Sequence, residues 1–225
     1  MDADRLIVEG YVVVGDAADD ALCARLCQVF ATLPRERAGS RAGFEHAAVR
    51  ELAASRAVRA LIEPMLGAQA FAVRATLIEK TPRAYWQIAW HQDLVVPVRE
   101  RREVPGFSAW SQKDGLTFVQ PPVQVLEEML AVRIDLDGLD AHNGALRVLP
   151  GTHTLGVLSA RQRSDFSWSR APVTCAVPAG GALVMRPLLL HESSRAEVPS
   201  RRRVVHLEFA ARELPAGLEW HERVR

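Results

Sequence analysis

Hydrophobic and polar positions change rhythm about a third of the way along the chain. Residues 6 to 14, "LIVEGYVVV", predict an early strand, and Asp16 is placed to cap a helix running to about residue 33. In that helix Leu22, Leu26, Val29, Phe30 and Leu33 share one side, the pattern of a helix laid on an apolar surface. Cys23 and Cys27, four apart beside this stripe, read as small buried hydrophobes. A second helical stretch, about 45 to 65, follows a Gly/Arg-rich link at 38 to 43 and stops near Pro64 and Gly67. Beyond it the period shortens. Apolar β-type runs at 69–79, 85–93, 130–136, 145–149, 173–177, 181–191 and 202–210 are separated by turn signals. Many short strands after a helical first third predict a mainly β jelly roll, with helices packed on its outer face. The span 97–128 interrupts the strands, and a connection of that length is usually functional.

Composition narrows the class without changing this picture. With 225 residues, 48% of them apolar and 24% charged, the chain is read as a single domain over 1–225. A net charge of +1 gives no general attraction to nucleic acid or to acidic membranes. All but two of its 28 basic residues, Lys80 and Lys113, are arginine, so arginine runs carry little weight as phosphate sites. Three cysteines without metal-type spacing argue against a disulfide framework and for a reducing compartment. The acidic start and the lack of an apolar run long enough to cross a bilayer lead us to expect a cytoplasmic protein. Nucleotide-binding and hydrolase motifs are missing, and the C-terminal "HERVR" has Arg225 where a zincin needs its second histidine.

The chemistry-bearing stretch is "YWQIAWHQDLVVPV", residues 85–98. Alternate residues of a strand share a face, so His91 and Asp93 project together while Gln92 points away. Taken alone, they read as a hydrogen-bonded core histidine and a strand's exit residue. A second apolar strand, "GGALVMRPLLLHESS", ends in His191 with Ser193 on the same face. Two histidines and one carboxylate on one side of an iron form the facial triad of non-haem Fe(II) oxygenases. In "SRRRVVHLEFA", Arg202, Val204, His206 and Glu208 share one face and Arg203, Val205, Leu207 and Phe209 the other. The apolar face is expected to pack outward against helices. An arginine held inside a barrel needs an anion, and a carboxylate is its natural bidentate partner.

The order "WHQD" (90–93), "NGALRVLPGTH" (143–153), "HESS" (191–194) and Arg202, with "EGYVVV" near the start, resembles the phytanoyl-CoA dioxygenase-like family of Fe(II)/2-oxoglutarate oxygenases. The resemblance spans nearly the whole chain. It implies a double-stranded β-helix, Fe(II) held by His91, Asp93 and His191, and Arg202 and Ser193 on the distal carboxylate of 2-oxoglutarate. Thr76 would also contact this cosubstrate. The implied reaction consumes O2 and 2-oxoglutarate, releases succinate and CO2, and hydroxylates a small molecule; Asp93 stands where halogenating relatives lack a carboxylate. The 97–128 insert would arch over the iron, making Phe107, Trp110, Gln120 and the arginines at 99, 101 and 102 candidates for substrate contact. His142 and His153, beside the Asn-Gly turn, are read as surface or supporting residues. The alternative from another class is a jelly-roll binding or regulatory protein that keeps the motifs without turnover.

Overall fold

The computed structural model describes residues 1–34, 39–80, 87–140, 142–193 and 201–225. Tyr85, Trp86 and Ser194 of the motifs above lie outside the described residues.

The first predicted strand is divided in two. Asp2 accepts a hydrogen bond from the Arg5 backbone N–H at 3.0 Å and opens helix α1 (Ala3–Glu9). Gly10 closes it in the left-handed region at φ 84°, and only then does β1 (Tyr11–Val14) begin. Leu6 is buried, while Ile7 and Val8 face outward, which a helix turn permits and a buried strand would not. Helix α2 (Asp20–Thr32) is capped by Asp19, whose carboxylate accepts from Leu22 N at 2.7 Å, rather than by Asp16. The second predicted helix is likewise two, α3 (Ala47–Ala54) and α4 (Arg56–Leu66). Ser55 sits between them in extended conformation and caps α4 through Val58 N.

Two antiparallel sheets follow. The larger contains β1, β2 (Gly39–Ser40), β3 (Phe71–Lys80), β8 (Met129–Asp135), β11 (Ala182–Met185) and β13 (Arg202–Ala210), in the order β1-β11-β8-β13-β3-β2. The smaller is β10-β9-β12-β4, built from β4 (Ile88–His91), β9 (Leu146–Val148), β10 (Val173–Thr174) and β12 (His191–Ser193). The apolar run predicted as one strand at 181–191 therefore serves both sheets. Pro187 lies in the break; it has no N–H to give a ladder, and its carbonyl instead accepts from Asp93 N at 2.9 Å.

The alternation of β13 is realised as expected. Val205, Leu207 and Phe209 join Leu26, Phe30, Leu52 and Ile62 of the helices in the main core, while Arg202, His206 and Glu208 turn inward. Phe209 is fully buried in that layer. Phe209→Ala is expected to destabilise the protein by about 3–5 kcal/mol, measured as a lowered denaturant midpoint with unchanged slope.

The insert folds as a three-stranded sheet of β5 (Val96–Val98), β6 (Ser108–Lys113) and β7 (Leu116–Gln120), followed by helix α5 (Val123–Glu127). Asp114 and Gly115 join β6 to β7 with φ 51° and 79°. Two consecutive left-handed residues make the tight hairpin turn for which Asp-Gly is suited. From that tip Asp114 reaches Arg41 beside β2, at 2.6 Å.

Candidate metal and cosubstrate site

The smaller sheet brings the two histidines together. In the β12–β4 pair His191 lies opposite His91, with ring centroids 4.1 Å apart. Two residues on, Asp93 points back at both: its carboxylate oxygens lie 3.9 Å from His91 Nε2 and 3.8 Å from His191 Nε2. The His91 and His191 Nδ1 atoms lie 2.8 Å from the carbonyls of Ala89 and Leu189 respectively. A carbonyl only accepts, so each Nδ1 carries a hydrogen, and Nε2, on the side of Asp93, is the nitrogen that can offer a lone pair to a metal. Burial pushes His191 down to about 4, against the opposing pull of Asp93, so its ring is neutral at physiological pH. Burial alone would raise the Asp93 carboxyl. His191, His206, His91 and Arg74 outweigh it and hold that carboxyl well below the usual range. Two imidazoles and one carboxylate converging from one side are the donor set a divalent iron takes.

Gln92, one residue past the end of β4, fixes this geometry through its side-chain amide. Its amide nitrogen donates to the Gly156 and Leu188 carbonyls at 2.8 and 2.7 Å, and its oxygen accepts from Leu158 N at 2.8 Å. The backbone that carries His91 and Asp93 is thereby tied to the loop before β12.

Asp93 also belongs to a second cluster with His206 and Glu208. Here His206 Nε2 is 3.3 Å from Glu208 and 3.8 Å from Asp93, and Glu208 is engaged by Arg74 at 3.0 Å. Flanked by two carboxylates, Nε2 is a donor, and Glu208 is neutralised by a guanidinium. This set supports Asp93 from behind and suits a metal less well than the first.

The inner faces of β3 and β13 run from one pole of the cavity to the other. At one end Lys80 pairs in register with Arg202. The Lys80 ammonium donates to Ser193 Oγ at 2.6 Å, and burial, with Arg202 and Arg133 nearby, lowers it to about 8. Asp135 of β8 stands close by; burial raises its carboxyl to about 7 despite Arg133 and Arg202. In the middle Thr76 lies opposite His206, its hydroxyl buried and without a hydrogen bond among the described residues. At the far end Arg74 pairs with Glu208 and lies 5.0 Å over the Phe118 ring. The whole forms a cavity of about 740 Å³ lined by His91, Asp93, His191, Ser193, Arg202 and Thr76 among others.

The structure thus gathers six of the residues singled out from sequence. It does not gather the three from the insert. Phe107 packs with Phe71 and Trp220 in a satellite core, Trp110 lies against the same cluster with Arg101 over its ring, and Gln120 pairs with Ser108. The insert reaches the cavity instead through Lys113 and Asp114 at its hairpin tip. Arg99, Arg101 and Arg102 pair with Glu219, Glu103 and Glu100. His153 binds the Ile7 carbonyl, away from the cavity. Sequence reasoning passed over Lys80, Arg133 and Asp135, and gave no role to His206 or Glu208. One signal was present: Arg133 and Asp135 alternate within the apolar run 129–136 and so share a face.

The family model described as phytanoyl-CoA dioxygenase (PhyH) matches residues 8–204. No curated protein matches the chain. Among solved structures, the epimerase SnoN in complex with Fe3+, alpha ketoglutarate and nogalamycin RO superposes with a TM-score of 0.69 at 16% identity, covering 92% of this chain and 81% of that one. AviO1 from Streptomyces viridochromogenes Tue57 gives 0.68 at 19% identity, covering 94% of each chain. EctD from S. alaskensis gives 0.69 at 18% identity, covering 94% and 77%. Identities this low establish a shared fold, the double-stranded β-helix, and no more.

Proposed function

The chain belongs to the phytanoyl-CoA dioxygenase family, and from that premise we propose that it is an Fe(II)/2-oxoglutarate-dependent oxygenase acting on a small molecule. The observation that carries this reading is the set of three ligand atoms, both histidine lone pairs and the Asp93 carboxylate, within 4.8 Å of one another at the wall of a cavity whose opposite end is cationic. In such a site bound ferrous iron couples the oxidative decarboxylation of the keto acid to oxidation of a substrate C–H bond. The residues supply orientation. His91, Asp93 and His191 would hold the metal through their Nε2 and carboxylate atoms. Arg202, Lys80 and Ser193 seat the distal carboxylate of 2-oxoglutarate, and the Thr76 hydroxyl offers it a further hydrogen bond. Hydroxylation is the outcome we favour, with an epimerase among the solved relatives marking how far oxidation can be redirected on this fold.

The test is 2-oxoglutarate turnover. Protein, Fe(II), 2-oxoglutarate and O2 should release succinate, and His191→Ala should release none. Tight binding of metal and keto acid with no oxygen-dependent succinate would move the protein to the non-catalytic class.

The cationic pole also predicts a pH dependence. Lys80 loses its proton as pH rises through about 8, and Asp135 gains a negative charge through about 7. Both changes act against a dianion beside Arg202 and Ser193. Keto-acid affinity is expected to fall from pH 7 to pH 9, read by anaerobic titration; affinity that rises over this range contradicts the assignment.

A further inference from the structure

Arg133 is the buried charge that the reading above does not use. It sits on the inward face of β8, a strand buried along its whole length, and is 8% exposed. Its guanidinium lines the cavity, yet makes no side-chain hydrogen bond or ion pair among the described residues. Asp135, Asp93 and Cys175 are its acidic neighbours and Lys80 and His191 also lie near, and among the described residues no carboxylate comes within bonding distance. A desolvated guanidinium with five donors and no acceptor is a site awaiting an anion.

Register says which anion. Arg133 lies opposite His206, whose Nε2 is 3.8 Å from Asp93, so it stands level with the metal ligands. Arg202 is four residues back along β13, roughly 13 Å at the usual strand rise. The two guanidinium-bearing positions are therefore at different levels and do not duplicate one another. Arg41 and Asp114, both partly exposed, line the cavity beside the β2 edge of the larger sheet. Arg133 is three strands further in, past β3 and β13, and beside Cys175.

Resting on the oxygenase reading, we propose that Arg133 holds the metal-proximal carboxylate of the keto acid, as Arg202 holds the distal one. The chain would then clasp 2-oxoglutarate between two arginines, one for each carboxylate. Arg133 acts here as a cosubstrate-positioning residue and takes no proton.

Two keto acids separate the two clamps. 2-Oxoglutarate carries both carboxylates; 2-oxopentanoate keeps only the one next to the keto group. Each is titrated anaerobically into Fe(II)-loaded protein, following the visible metal-to-ligand charge-transfer band. Arg133→Met is expected to weaken both by the same factor, roughly 10- to 100-fold for a lost charged hydrogen-bonding group, with Arg133→Lys recovering part of each. Should Arg133→Met fail to fold, as judged by thermal melting, the lysine variant carries the test, with a smaller but equal loss for both acids expected. Unchanged affinities, or a loss confined to 2-oxoglutarate, overturn the assignment. Absence of the band in the wild type sinks the oxygenase reading and this assignment together. A wild-type band with unaffected variants sinks the assignment alone.

Discussion

Replacing Asp93 by alanine is expected to abolish ferrous binding. Asp93 is the only anionic member of the triad, and its charge is what draws a dication to the two imidazoles. Without it the site keeps the lone pairs of His91 and His191 but faces Arg133 with no carboxylate of its own, a field that repels a metal ion. The loss should exceed the roughly 10–100-fold that supporting residues around a metal contribute, and anaerobic calorimetric titration with Fe(II) reads it. His191→Ala should behave the same way. His206→Ala should stay within the supporting range, because its Nε2 is committed between Asp93 and Glu208. A His206 variant that loses the metal while His191→Ala keeps it would reverse the order of the two clusters.

The second large effect falls on the cosubstrate. Arg202 is buried at the cationic pole beside Lys80 and Ser193, where no solvent can replace its charge. Arg202→Leu, which keeps much of the volume, should raise the dissociation constant for 2-oxoglutarate roughly 10- to 100-fold, since hydrogen bonds to charged groups contribute about 1.5–3 kcal/mol. Affinity for 2-oxopentanoate should stay at the wild-type value, because that acid has nothing to present to this arginine. Equal losses for both acids would place Arg202 elsewhere in the site.

How much of this could be seen in the sequence depended on whether one strand held the information. His91 with Asp93, and Arg202 with the outward Val205, Leu207 and Phe209, follow from period-two alternation within a single strand. Those faces are the ones observed. The pairing of His91 with His191 needed a register between segments a hundred residues apart, and there the family resemblance supplied what periodicity does not. The insert was legible as an excursion, but its aromatics were not. Phe107 and Trp110 could equally have faced substrate or a core, and only the packing around Phe71 and Trp220 decides between them. At the N-terminus the β-branched run favoured one strand, yet Asp2 and Gly10 cap a helix over its first half and only Tyr11–Val14 is strand. Local capping won over side-chain propensity. Lys80 was missed because a lysine closing a strand looks solvated until its cross-strand partner is known to be Arg202.

The central claim is that one ferrous ion sits among His91, Asp93 and His191. Anomalous diffraction at the iron edge, from crystals grown without oxygen in Fe(II) and 2-oxoglutarate, tests it most directly. The account predicts one strong peak within bonding distance of both Nε2 atoms and an Asp93 oxygen, with the keto acid's density reaching from it toward Arg202. A peak among Asp93, His206 and Glu208, or none in the cavity, would contradict it.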